Sequence, residues 1–306
     1  MTSPATQTDA NSTLAPQAGA PLLNIKSRIE RLDKLPPMPE MTQKIIQLNG
    51  NPDASVNDLV KVVELDPSLA AQIMRYATSP FFSYRGKVDS LHTAVTRVLG
   101  YNTVLNLALG ATAAKPFRIP RNVPLGLDTF WRHAVFSAAI AQALSAAVPR
   151  EIRPPAGMAY LAGLLHNFGH LLLGHLFKNE FLILNKFITR EPDKSVEEIE
   201  LQVIGTDHGS IGAWLMQAWR MPDEVVVAAR EHHNENYRGE HAVYAQLILL
   251  TDRLLKAHDI GDAPHGQLPL PILESLEIGE YQAVTIASRI MEDCENLHAM
   301  ARQFAS

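Results

Sequence analysis

The apolar run AGMAYLAGLLHNFGHLLLGHLF, residues 156–177, constrains the fold more than any other stretch of the chain. Within it, GLLHNFGH at 163–170 sets His166 and His170 one helical turn apart, with Asn167 beside the first. A single histidine on an apolar helix face is usually a core residue whose ring nitrogens are satisfied by its neighbours. Several histidines and carboxylates on successive antiparallel helices are different, because a bundle gathers inward-facing side chains into one cluster, as in helical di-metal proteins.

The rest of the chain is punctuated as helices. After LPPMPE, residues 40–48 suit a helix that Gly50 and Asn51-Pro52 end. Ser55 with Asp58 three residues on forms a capping box, and Asp66-Pro67 supplies an N-cap and first-turn proline for SLAAQIMRYAT, which Ser79-Pro80 stops. SLHTAVTRVLG follows, then YNTVLNLALGATAA, in which Val104, Leu107, Ala108 and Ala111 share one face. Alternating β-branched runs with hairpin turns do not occur, so the chain is expected to be all-α.

Residues 1–21 are rich in Thr, Ser, Ala, Gln and Pro and are expected to form a disordered tail. Residues 22–115 form an N-terminal helical sublobe, and the three prolines of KPFRIPRNVPLG make 116–127 a hinge. A second helical sublobe spans 128–258, with a helical extension over 259–306. The 306-residue length accommodates such a two-lobe arrangement.

Two helices joined by Gly100 raise the possibility of a DNA-binding helix-turn-helix. The second helix has no Lys or Arg between Tyr101 and Ala114, and the net charge is -5, so direct nucleic-acid binding is not expected. Cys294 is the only cysteine, which rules out an internal disulfide or a thiolate zinc site and fits a reducing cytosol. No run reaches the ~18 apolar residues of a membrane span. The first residues lack a signal-peptide pattern, so the expectation is a cytoplasmic, membrane-free protein.

The second sublobe repeats histidines at helix positions: His133, His166, His170, His175, His208, His232, His233 and His241. With Asp207 and Asp252 on later helices, they form a donor set that suits Fe, Mn, Zn or Ni. Trp131, Trp214 and Trp219 read as packing residues, and VEEIELQ at 196–202 reads as a solvated helix face or an acidic partner surface. No phosphate loop, nucleophile elbow or His-Glu-x-x-His motif is present.

LPPMPEMTQKIIQL, DPSLAAQIMRYATSPFF, FWRHAVFSAAIAQAL, AGLLHNFGHLLL and TDHGSIGAWLMQAWRMPDEVVVAAREHH, in that order, resemble the HDOD domain family, relatives of the HD and HD-GYP metal-dependent phosphohydrolases. The resemblance covers about residues 25–255. It implies two helical sublobes, the second an HD-like bundle, and a regulatory role in bacterial signalling without demonstrated catalysis. It also places the degenerate HD-site candidates at His133, His166, Asn167, His170, Asp207, His208, His232, His233 and Asp252.

In the catalytic relatives the aspartate of the His-Asp dyad binds metal and positions a water. Here Asn167 stands in its place, and an amide brings neither charge nor a basic site. HNFGH also departs from the HDIGK pattern of HD-GYP proteins, and no GYP motif occurs. The expectation is a non-catalytic signalling protein, without a required cofactor, that binds a protein partner or a nucleotide signal. The alternative is a metal-dependent phosphohydrolase with a remodelled site, using Fe, Mn, Ni, Mg or Zn held by His133, His166, His232, His233 and Asp252.

Overall fold

A computed structural model describes residues 21–31, 35–49, 51, 53–78, 82, 84–263, 266–292 and 294–305. Residues 1–20 of the expected tail at 1–21 and the helix stops at Gly50, Pro52 and Ser79-Pro80 lie outside these described residues.

The described residues form helices and no strands. Ahead of the 116–127 segment come α1 (Lys26–Glu30), α2 (Glu40–Asn49), α3 (Val56–Glu64), α4 (Pro67–Ala77), α5 (Leu91–Thr93) with a π-helical continuation (Ala94–Leu99), and α6 (Tyr101–Ala113). After it come α7 (Leu127–Ala147), α8 (Ala156–Leu165), α9 (Phe168–Leu176), α10 (Lys178–Arg190), α11 (Val196–Ile204), α12 (His208–Ala218), α13 (Asp223–Glu231) and α14 (Ala242–Lys256). Then come α15 (Leu270–Leu276), α16 (Glu280–Glu292) and α17 (Glu295–Phe304). No described helix is long and apolar enough to cross a membrane.

Local chemistry starts these helices as expected. Ser55 and Asp58 close a capping box on α3, with the Asp58 amide donating to Ser55 Oγ at 3.3 Å and the Ser55 amide to Asp58 Oδ2 at 3.0 Å. The Asp66 carboxylate accepts from the Ser68 and Leu69 amides at 3.1 and 3.2 Å, ahead of Pro67.

Packing changes three of the expectations. First, α6 is not amphipathic in the expected way: residues 104–110 are all buried, because α2, α3 and α4 cover one side and α8 the other. Second, residues 116–127 do break the helical run but are packed in place. The Phe117 ring meets Phe168 edge-on at 6.3 Å, and the Leu125 amide donates to the buried Asn185 Oδ1 at 2.7 Å. One hydrophobic core therefore includes helices from both sides of this segment. α17 ties them further, with Phe304 4.8 Å from Trp131 of α7 and Gln303 bonded to Arg75 of α4.

Third, the run 156–177 is two helices. α8 ends at Leu165 and α9 begins at Phe168, with His166 and Asn167 at the joint. Gly169, just past it, lets α12 approach closely, since a Cβ there would lie 1.9 Å from the His208 carbonyl oxygen. This joint turns His166, Asn167 and His170 toward a common interior.

Candidate metal centre

Helices, joints and one bend from along the chain supply that interior. α7 carries His133, the α8–α9 joint carries His166 and Asn167, α9 carries His170, and α11 carries Glu200. His208 opens α12, His232 and His233 follow the end of α13, and Asp252 lies on α14. Asp262 enters from the bend after α14, where Gly261 adopts φ 93° and passes over His133. Any side chain at 261 would place its Cβ 2.8 Å from His133 Nε2. All of these centre residues are buried except His233, which is partly exposed toward solvent.

Hydrogen bonds fix the ring orientations. His166 Nδ1 donates to the Gly163 carbonyl at 2.8 Å, His232 Nδ1 to the Ala229 carbonyl at 2.8 Å, and His208 Nδ1 to Glu200 Oε2 at 2.7 Å. Each of these rings therefore turns Nε2 toward the centre, the arrangement that outer hydrogen bonds give to metal-binding histidines. His208 Nε2 lies 3.1 Å from Nε2 of both His232 and His233.

Asn167 does something different. Its Nδ2 donates to His133 Nδ1 at 3.1 Å and to Asp262 Oδ2 at 3.0 Å, which leaves the His133 proton on Nε2, facing Asp252 Oδ1 at 2.8 Å. His133 Nε2 and Asp252 Oδ1 thereby satisfy one another.

The centre is rich in negative charge. Burial disfavours the Glu200 carboxylate, but His208 and His170 around it hold its pKa down to about 2. Burial likewise disfavours a charged His208, yet Glu200 and then Asp262 push it up to about 10. Burial above all holds His232 and His233 neutral, at about 3 and about 4, with His208 lowering both and Asp262 opposing the fall.

Four buried acceptors at this centre have no protein partner: His166 Nε2, Asn167 Oδ1, Asp252 Oδ2 and Asp262 Oδ1. Buried polar atoms are seldom left unpaired, and acceptors without donors call for water or a cation. Three donor groups among the described residues each lie within 4.8 Å: His133, His166 and Asp252; His208, His232 and His233; and His170, Glu200 and His208. The set fits a divalent ion. A cleft of about 160 Å³, walled by Leu125, Phe130 and Lys194, reaches His133, Asn167 and Asp262 from outside.

Of the HD-site candidates from the sequence, all but Asp207 meet here, while His175 accepts from the Arg118 amide at 3.2 Å and His241 precedes α14, both away from the centre. Asp207 caps α12, accepting from the Ser210 amide at 2.7 Å. Two members were missed. Glu200 belongs to the segment read as a solvated face, but it is fully buried, bonded to His170 Nε2 at 3.0 Å and to His208. Its signal was spacing, since Val196, Ile199, Glu200 and Val203 form one apolar stripe. Asp262 lay in the segment assigned to the extension, and only the bend at Gly261 brings it in.

The sequence profile of the HDOD domain matches residues 35–235. A protein of Marinobacter aquaeolei VT8 assigned to signal transduction is 37% identical, with a TM-score of 0.81 over 92% of this chain and 62% of that one. A protein of Shewanella amazonensis SB2B assigned as a phosphohydrolase has a TM-score of 0.69 at 18% identity, over 92% of this chain and 97% of that one, a likeness of fold. An uncharacterized protein of Treponema pallidum (strain Nichols) is 24% identical over 270 residues, 87% of this chain and 51% of its own length. The chain thus spans less than two thirds of the Marinobacter protein and about half of the Treponema one.

Proposed function

The chain belongs to the HDOD domain family, and from that premise we propose that it is a cytoplasmic signalling protein that acts by binding and does not turn over a phosphate ester. The observation that carries this reading is the state of Asn167. Where a catalytic relative needs a charged ligand and water-positioning base, this side chain is a neutral donor occupied by His133 and Asp262. His133 Nε2 is likewise taken up by Asp252 Oδ1 at 2.8 Å.

The residues fitted to hold a divalent ion are His166, His208, His232, His233, Asp252 and Asp262. Bound there, the ion supplies positive charge and Lewis acidity. The chain's own residues orient the rings, through Glu200 and the carbonyls of Gly163 and Ala229.

Two surface features support binding as the activity. A groove of about 620 Å³ runs between Pro36, Met38 and Ile46 on one side and Trp219 and Arg220 on the other, with Trp219 Nε1 donating to the Pro36 carbonyl at 3.1 Å. The cleft over the centre, with Lys194 and Lys256 at its edge, supports a nucleotide signal as the alternative ligand.

The test is a screen of phosphomonoesters and phosphodiesters, cyclic dinucleotides included, with Mn, Fe, Ni, Mg and Zn. The expected result is no turnover above a His166→Ala control. Turnover that His166→Ala abolishes refutes the reading and establishes a metal-dependent phosphohydrolase in its place.

A further inference from the structure

Asp262 is the carboxylate nearest the three clustered imidazoles that does not orient a ring. Its Oδ2 lies 3.5 Å from His208 Nε2 and 3.9 Å from His233 Nε2, while its Oδ1 is buried without a partner. The three Nε2 atoms of His208, His232 and His233 sit within 4.8 Å of one another, and His208 is 3.1 Å from each of the others. Four donors bound at about 2.0–2.1 Å around a tetrahedral ion lie roughly 3.3–3.4 Å apart, a spacing that these separations bracket.

The neighbouring group is poorer. Its His133 ring is bonded on both nitrogens, to Asp252 Oδ1 and to the Asn167 amide, and Asp252 Oδ1 lies 3.9 Å from His166 Nε2. The reason Asp262 can enter is Asn167 itself. An amide N–H attracts the Asp262 carboxylate at 3.0 Å, whereas a carboxylate at 167 would repel it.

We propose that Asp262 supplies the carboxylate that position 167 lacks, and that with His208, His232 and His233 it completes a closed four-ligand site for one divalent transition ion. Four protein ligands leave no open position, the pattern of a structural ion and not a catalytic one. Glu200 is a positioning residue: it fixes His208 through Nδ1, with the His208 amide also donating to Oε2 at 2.8 Å. The inference rests on the reading of the centre as one that binds and does not catalyse.

The experiment uses the full chain, stripped by chelator and titrated with Co(II), following affinity and the visible absorption of four-coordinate cobalt. The parent binds one Co(II) per chain with intense bands. Asp262→Asn weakens binding at least tenfold and loses those bands, whereas Asp259→Asn, an exposed neighbour in the same segment, leaves both unchanged. Asn167→Asp combined with Asp262→Asn restores affinity to within about threefold of the parent, because the charge is returned to the centre from the other side. Parent protein that takes up no Co(II), Asp262→Asn that keeps its affinity and spectrum, or a double variant that regains nothing each overturns the proposal. Should Asp262→Asn alone fail to fold, the double variant decides it. Turnover by the parent refutes the non-catalytic reading and leaves the Asp262 ligation standing; Co(II) retained by Asp262→Asn does the reverse.

Discussion

Replacing Glu200 by Gln tests whether the centre is held together by a buried charge. The carboxylate is fully buried and accepts three hydrogen bonds: from His170 Nε2 at 3.0 Å, from His208 Nδ1 at 2.7 Å, and from the His208 amide at 2.8 Å. A glutamine keeps the shape and one acceptor oxygen, which can retain the two bonds from His208, but it turns an NH₂ group toward His170. The charge is lost outright, and His208, charged because Glu200 and Asp262 surround it, loses its principal counter-ion. Removing one partner of a buried ion pair costs about 3–5 kcal/mol. Set against a total stability of about 5–15 kcal/mol, the fall should be plain in a urea titration of chelator-treated protein, as a lower midpoint at unchanged slope.

The pH dependence gives a second readout of the same substitution. A histidine raised to about 10 contributes stability that is complete below its ordinary value near 6.5 and is lost as pH rises toward 10. The parent therefore weakens across that window by up to ~1.4 kcal/mol per pH unit, and Glu200→Gln flattens the decline. Glu197→Gln, one turn earlier and only half-buried, stays within about 0.5 kcal/mol of the parent. A Glu200→Gln variant that also stays within that range would show that 196–202 is the solvated face its charges resemble, and the ionic account of the centre would be wrong.

Gly169→Ala sets a methyl 1.9 Å from the His208 carbonyl oxygen, a backbone atom that can yield only if α9 and α12 separate. The expected loss is about 3 kcal/mol or more by chemical denaturation, against about 0.5 kcal/mol or less for Gly279→Ala, which meets nothing within 4 Å. Asp66→Ala removes the α4 cap and the Lys115 partner and should cost about 1–2 kcal/mol. Partial burial raises the Asp66 pKa, but Lys115 and the two amides outweigh it and hold it below the ordinary 3.8. Its contribution is therefore present above that value and disappears as pH falls below it, so the parent and variant stabilities should converge in acid. Asn185→Leu strips the Leu125 amide of its 2.7 Å acceptor and should cost about 1–3 kcal/mol, with the 116–127 connector gaining hydrogen-exchange rate before the helices do.

The amino-acid sequence by itself determined the helices, because caps such as Ser55–Asp58 and Asp66-Pro67 act over three or four residues and need no distant partner. It also determined that histidines would converge, since His133, His166, His208, His232 and Asp252 fall on the inward faces of successive helices. Tertiary structure alone decided how the centre is completed. Glu200 sits among surface-like charges, and only the tertiary placement of its side chain beside His170 of α9 and His208 of α12 makes it the partner of two buried rings. Asp262 lies 95 residues from Asn167 along the chain, and they meet only because Gly261 lets a bend cross His133. A hydrogen bond between such distant positions leaves no periodic trace, so the replacement of a carboxylate by Asn167 is visible in the sequence, while the carboxylate that approaches it is visible only in the fold.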